Sequence, residues 1–461
     1  MKTLFTRDKM FYKSLIALAI PISLQNLITF GVNFADNLMV GSLGDNAISG
    51  VYMGNQLQTV IQMFMAGVEG AILILSAQYW GKKDTSSIKK IIAVGVKFAL
   101  AFGVAFTLAA TLFPSQIISI FTNDKNVIED GAVYLRIVGI SYIFFCMSQV
   151  FIASMRSVET AKIGLYVSVL ALFMNVGLNY LFIFGVKGVI PAMGITGAAI
   201  ATLISRIAEL IAVLLYVRFK DQKLALRFHE LLKTDRVMLK DFVRYGLPII
   251  GGQVVWSVNT MGQSMILGRY SAGVIAATSI AGMLHNLVYV WMTGLSNAVG
   301  IITGKTVGAG RYETMKEYSK TVQVIFLIVG IISGVAVYLL KTPFISLYGN
   351  VSTEAAAYAE QFITVITFTI VGTCYQAACL FGLVKSGGDI GFVFKNDTIF
   401  VFLVVLPAGI IAALLGAPAW VVFACLKCDQ ILKCFVAVVK INSYNWMKNL
   451  TRDNPEKALN H

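Results

Sequence analysis

Charge is what this sequence has least of. Only 13% of its 461 residues are Asp, Glu, Lys or Arg, whereas a soluble domain carries roughly 25%. Too few charges are present to coat a water-facing surface, so a soluble globular protein is excluded. Histidine is scarcer still, with three residues. The apolar runs contain no HExxH, no paired catalytic carboxylates and no nucleophile motif, which argues against an integral-membrane enzyme. Six cysteines make no disulfide or zinc framework. Cys425, Cys428 and Cys434 resemble the start of a metal pattern but lie in an apolar run without a matching His pair, so they read as small packing residues, like Cys146, Cys374 and Cys379. Met1–Ser14 is basic and partly amphipathic, and no small-residue cleavage site follows it, so it reads as a lead into the first span rather than a cleaved signal.

What the sequence has in abundance is apolar length. Hydrophobic residues make up 57% and the mean hydropathy is +0.77. Runs of about 20 apolar residues cross a hydrocarbon core of about 30 Å as helices. They fall near 15–40, 47–79, 91–113, 131–155, 163–185 and 194–217, then near 242–267, 274–304, 319–340, 357–384, 390–414 and 418–440. The expected architecture is an all-α integral membrane protein of twelve transmembrane helices. It divides into an N-lobe (1–217), a linker (218–241), a C-lobe (242–440) and a tail (441–461).

The net charge of +14 does not imply nucleic acid, because no reading motif accompanies it. Alternate loops are rich in basic residues: Lys82, Lys83, Lys89 and Lys90; Arg156 and Lys162; Arg311, Lys316 and Lys320; Lys385 and Lys395. Arg218 to Arg244 holds eight more. The opposite loops carry single ones, such as Lys125, Lys187, Arg269 and Lys341. The positive-inside rule places the basic set and both termini in the cytoplasm, with the chain in the cell membrane.

The halves echo each other at an offset of about 227 residues. Pro21 corresponds to Pro248, Gly41 to Gly268, Met65 to Met292, Gly67 to Gly294, Gly81 to Gly308, and Ile118-Ser119 to Ile345-Ser346. Six spans per half is an even number, so both halves enter the membrane with the same topology. Parallel repeats of this kind suit alternating access around a path at their interface.

Several polar residues sit inside the apolar runs. Asp36 follows Leu15–Ala35 near the end of the first span. A charge deep in a span costs roughly 2.5–3.5 kcal/mol on insertion scales, so it either holds an ion or proton or sits hydrated at the interface. Asn175 and Asn179, four residues apart, share one helix face. Their amides suit a hard cation, a carboxylate or interhelical packing. Glu69 lies between Gly67 and Gly70, as a functional acid or beside a local partner. Arg206 and Glu209 can neutralise each other at i, i+3. Asp429 and Lys433, at i, i+4, either pair or line a C-lobe cavity. His285 reads as a packing residue. Seventeen methionines and 30 phenylalanines suit an adaptable binding chamber.

Four motifs in order give a resemblance. They are Pro21 with Asp36 and Val40-Gly41-Ser42-Leu43-Gly44; Gln78-Tyr79-Trp80-Gly81; Asn175 through Gly185; and Gly197-Ala198-Ala199-Ile200-Ala201-Thr202. The chain resembles the multidrug and toxic compound extrusion (MATE) family over residues 10 to 450. The resemblance implies an antiporter that exchanges H⁺ or Na⁺ for an organic, usually cationic substrate, as a monomer without a cofactor. It places a cation site at Asp36, Asn175, Asn179, Thr202 and the backbone carbonyl of Ala198, and a helix bend at Pro21. Two departures stand out. The fifth-span position that is often Asp in the family is Asn179, and the C-lobe acids of one branch are absent, their places falling near Trp256 and Cys374. A lipid or lipid-linked oligosaccharide flippase is the alternative; its cavity would be strongly cationic, whereas this buried set is mixed.

Overall fold

Without water to satisfy it, backbone buried in hydrocarbon must bond within its own segment, and the helix does this locally. The apolar runs accordingly fold as helices in the computed structural model, which describes residues 5–43, 45–122, 124–186, 190–233, 235–347 and 352–452. Gly44, Lys187 and the last nine residues of the tail lie outside the described residues. The first half comprises α1 (Lys9–Gly41), α2 (Asp45–Gly81), α3 (Thr85–Leu112), a short α4 (Pro114–Ser119), α5 (Lys125–Ser157), α6 (Lys162–Phe184) and α7 (Gly194–Phe219). After a 3-10 turn at Phe228–Leu232 come α8 (Arg236–Leu267), α9 (Ala272–Gly308), α10 (Tyr312–Ser346), α11 (Thr353–Ala377), α12 (Ile390–Ile399), α13 (Leu406–Leu414), α14 (Ala419–Leu426) and α15 (Asp429–Asn442).

Among the described residues ten helical stretches are long and apolar enough to cross a membrane. The other two expected spans are helical but atypical. α8 begins with Arg236, Lys240, Asp241 and Arg244 and carries Gln253, Asn259 and Gln263 further on. The last span is not one helix, as its apolar pattern predicts. It breaks at Lys427–Cys428 into α14 and α15, although neither Gly nor Pro stands there. α11 runs on with π-helical spacing through Ala378–Lys385, and a π-helical stretch over Phe400–Val405 joins α12 to α13. Lys385 and Lys395, read as loop charges, therefore both lie in helical segments.

The chain forms two compact units, one of residues 24–76 and 83–250 and one of 1–23, 77–82 and 251–461. α1 passes from one unit to the other after Ser23 and α8 after Ile250. Each crossing falls two residues beyond a proline, Pro21 and Pro248, which are repeat counterparts inside their helices. An internal proline removes one backbone hydrogen bond and loosens the helix locally.

In the unit built from the first half, α5 is packed by α3 and α7, and α6 lies on α7. Asp124 starts α5 by accepting from the Asn126 N–H at 2.9 Å, which caps otherwise unpaired donors. The linker is tied to α3. Lys89 meets Glu230 at 3.1 Å and Lys90 meets Asp235 at 3.2 Å. Lys97 donates to the Leu232 and Lys233 carbonyls at 3.1 and 3.0 Å.

In the other unit the rings of Phe362 and Phe423 stack at 4.4 Å within the core, and the first stretch of the tail is docked rather than free. The Gln78 side chain donates to the Lys448 carbonyl at 3.2 Å and accepts from the Leu450 N–H at 2.7 Å. Trp446 is fully buried. Gly388, at φ +108°, brings its Cα close to the Lys448 carbonyl, where a Cβ would sit at 2.5 Å. Asp389 accepts from Lys440 at 2.7 Å and Lys448 at 2.8 Å. Burial pushes its carboxyl up, but the two ammonium groups prevail and hold it below the usual carboxylate range. A depressed carboxylate contributes stability above its unfolded value and loses it as pH falls through the folded one. Tail docking is thus expected to persist at neutral pH and to loosen below about pH 4. Asp389→Asn should produce the same loosening at pH 7, read as faster amide exchange over residues 443–450; unchanged exchange would remove Asp389 from this role.

The repeat glycines show why they are repeated. A Cβ on Gly81 would lie 2.0 Å from the Lys305 carbonyl oxygen, and one on Gly308 would lie 2.0 Å from that of Gln78. α2 and α9 therefore cross backbone to backbone, each through the other's glycine. Likewise Gly67 of α2 receives Ile250 of α8, and Gly294 of α9 receives Ser23 of α1. Forcing a methyl into so tight a contact costs about 1–3 kcal/mol. Gly308→Ala and Gly81→Ala are each expected to lower the melting temperature of the purified protein by several degrees, while Gly282→Ala, a control on α9 where an added methyl meets nothing within 4 Å, should not.

Candidate functional site

Asp36 sits on α1, five residues before its end. Its carboxylate accepts a short hydrogen bond from the Asn179 amide of α6. The same amide donates to Asn175 Oδ1 at 3.2 Å. Asn175 and Asn179 are buried, at 3% and 1% exposure, whereas Asp36 is half-buried. Because Nδ2 of Asn179 has two acceptors, its Oδ1 must face the other way, and this oxygen is buried without a donor. A buried oxygen with nothing to accept costs about 1–3 kcal/mol unless a cation or proton satisfies it.

The neighbouring helix is brought close by a glycine. A Cβ on Gly197 would lie 2.4 Å from the Phe182 carbonyl, so α7 rests directly on the end of α6. Ala198, Thr202, Arg206 and Glu209 then run down one face of α7. Ala198 is buried and Thr202 half-buried, and neither makes a hydrogen bond to the Asp36 side chain. The structure therefore joins Asp36, Asn175 and Asn179 directly and places Ala198 and Thr202 on the adjoining helix.

Below them the charges pair. Arg206 meets Glu209 at 2.8 Å and lies over the Phe145 ring at 4.9 Å. Glu209 also accepts from Ser148 at 3.3 Å and Gln149 at 3.4 Å, both on α5. Tyr134 of α5 donates to Asn55 of α2 at 3.3 Å and lies within the field of both Asp36 and Arg206. These α5 and α2 partners carried no signal in the sequence, since single polar residues on an apolar helix have no period. Glu69 faces the charge of Arg156, whose Nη2 donates to Gln25 of α1 at 2.7 Å.

In the other unit Asp429 and Lys433 do pair, at 3.2 Å, and Asp397 of α12, which sequence reasoning missed, joins Lys433 at 2.9 Å. Its neighbour Lys395 looked like a loop charge, which hid it. His285 stacks on Tyr289. Trp256 is exposed and Cys374 buried, so no acid stands at either place. The six cysteines are free.

Ten helical stretches able to cross a membrane, with paired charges buried between helices, define a multi-pass membrane protein. The MatE family model matches residues 21–181 and 248–411, one segment in each half. The chain belongs to the MATE family of transporters. It is 25% identical over 417 residues to the probable multidrug resistance protein NorM of Halalkalibacterium halodurans, covering 89% of each chain. It is 28% identical over 337 residues to a probable NorM of Thermotoga maritima, covering 73% of this chain and 72% of that one. The fold is that of the Vibrio cholerae MATE transporter VcmN, with a TM-score of 0.87 and 15% identity over 96% of this chain and 98% of that one.

The Arg206–Glu209 pair gives a direct test of the buried network. Glu209→Leu leaves Arg206 uncompensated, and such losses cost about 3–5 kcal/mol. Replacing both with Leu is expected to cost less than the single change, read as melting temperature in detergent. Equal losses would show that the pair is not coupled.

Proposed function

We propose that this protein is a secondary-active antiporter that exports organic, cationic and amphiphilic compounds in exchange for H⁺ or Na⁺. The observation that carries the reading is the Asp36–Asn179–Asn175 cluster with its unsatisfied Asn179 oxygen. The NorM relatives, named as probable multidrug resistance proteins, support the cargo class.

In this reading the ionised Asp36 carboxylate accepts the Asn179 N–H. Uptake of a proton turns one carboxyl oxygen into a donor, and the idle Asn179 oxygen is the natural type of acceptor. A Na⁺ would instead draw on oxygens alone, which suits a carboxylate and amide carbonyls, with the Thr202 hydroxyl and the Ala198 carbonyl completing the set. Either event removes the site's single negative charge and weakens its hold on an organic cation. One charge moving down about 100 mV supplies roughly 2.3 kcal/mol before any ion gradient is added. Residues 1–217 and 242–440 act as the two moving lobes, joined by 218–241, with α1 bending near Pro21. The basic loops and both termini face the cytoplasm, and the protein works as a monomer in the cell membrane.

The test is ethidium uptake by proteoliposomes under a pH gradient or a Na⁺ gradient, imposed separately. One gradient should drive uptake, and Asp36→Asn should reduce it to the protein-free level. Wild-type rates in that variant would sink the mechanism.

A further inference from the structure

Three segments of the second-half unit turn irregular at the places where they carry charge. α11 passes into π-helical spacing that ends at Lys385, α12 does so from Phe400, three residues after Asp397, and α14 stops at Lys427 before α15 starts with Asp429. Such interruptions sacrifice regular backbone bonds and recur at functional sites, transport sites among them.

The charges there do not balance. Lys433 holds both aspartates, Asp397 at 2.9 Å and Asp429 at 3.2 Å. Lys427 lies in the field of Asp429 but hydrogen-bonds only a neutral group, Gln263 Oε1 at 3.0 Å, and has the Phe423 ring at 5.7 Å. Lys385 lies over the Phe381 ring at 5.6 Å. Three ammonium groups thus face two carboxylates, leaving one positive charge in excess. An ammonium has three donors, and Lys427 uses one of them. Next to Asp397, Asn396 is 7% exposed and its amide nitrogen has no acceptor, a second unspent donor on the same helix. An uncompensated cation in a membrane bundle is costly, and the acceptor this cluster lacks is an anionic one.

We propose that Lys427 forms an anion-accepting subsite that takes the carboxylate of a zwitterionic amphiphile, so that cargo bearing both charges is preferred to the matching pure cation. The inference rests on the export reading for its meaning, but binding tests it separately. Tetramethylrhodamine, a zwitterion at neutral pH, and its methyl ester, a cation, share one fluorophore and differ only in the free carboxylate. Their affinities for the protein in nanodiscs are read by fluorescence polarisation. Partitioning into lipid cancels when the ratio of the two is compared between wild type and variant in identical discs.

The wild type should bind the zwitterion more tightly than the ester. Lys427→Gln should lower that preference about tenfold, the scale of one charge-assisted hydrogen bond, by weakening the zwitterion and tightening the ester. Lys427→Arg should keep the preference. A wild type without preference overturns the proposal whatever the variants do, and so does a Gln variant that shifts both dyes alike. Replacing gluconate by chloride separates the sources of the anion: if chloride abolishes the wild-type preference at concentrations that leave ester binding intact, the subsite belongs to a free anion and the cargo assignment falls. Failure of ethidium transport under either gradient would instead count against the export reading alone.

Discussion

A charged side chain inside an apolar bundle is tolerated only where something opposite neutralises it or where function needs the charge exposed to a ligand. The polar interior of this protein follows that constraint residue by residue. Arg206 is answered by Glu209, Arg156 by Glu69 and Gln25, and Lys433 by two aspartates. What stands out is the remainder. Asp36 has amides for company but no cation bonded to it, and Lys427 has an amide and a ring but no bonded anion. The unbalanced charges are of opposite sign and belong to different units. A structural network would close both; a transporter has reason to leave them open.

Helix packing makes these exceptions possible. Close approach at Gly197 sets α7 on α6 and so brings the Ala198–Thr202 face beside the Asn175–Asn179 face. In the other unit, Gly372 lets α11 come within backbone distance of Gln430, where a Cβ would lie 2.2 Å from the carbonyl. The Gln430 side chain then accepts from Thr373 and donates to Asp429. Small residues thus fix the positions from which the polar groups act, which is how membrane helices associate when no hydrophobic force drives them together.

Much of this was legible in the sequence. Length and hydropathy gave the helices, and an acid in an apolar run marked Asp36. The i, i+4 spacing put Asn175 and Asn179 together, and the offset of equivalent residues exposed the repeat. What remained hidden has common causes. Asn55, Tyr134, Ser148 and Gln149 find partners on other helices far away in the chain, and no local pattern announces a partner so remote. The break at Lys427–Cys428 lacks the Gly or Pro that usually signals one, whereas Gly382 inside the first π-helical stretch and Pro407 just after the second are signals that the unbroken apolar runs masked. Asp397 was overlooked because a charge near the end of an apolar run looks like an interface residue until the neighbouring helix is seen.

The repeat also separates what duplication preserves from what it releases. Gly67 and Gly294, Gly81 and Gly308, and Pro21 and Pro248 keep equivalent places and equivalent contacts. Each meets a backbone or side chain at a distance that admits no larger residue, or loosens a helix where it changes unit. Charge has not been kept. The counterpart of Asp36 by the same offset is Gln263, and Gln263 is the residue that holds Lys427. Sterics constrain both members of a pair equally, because the two halves must still cross each other in the same way. Electrostatics acts on each unit separately, since a charge answers to its nearest neighbours. One backbone plan can therefore carry an acid in its first half and a surplus cation in its second without changing how its helices pack.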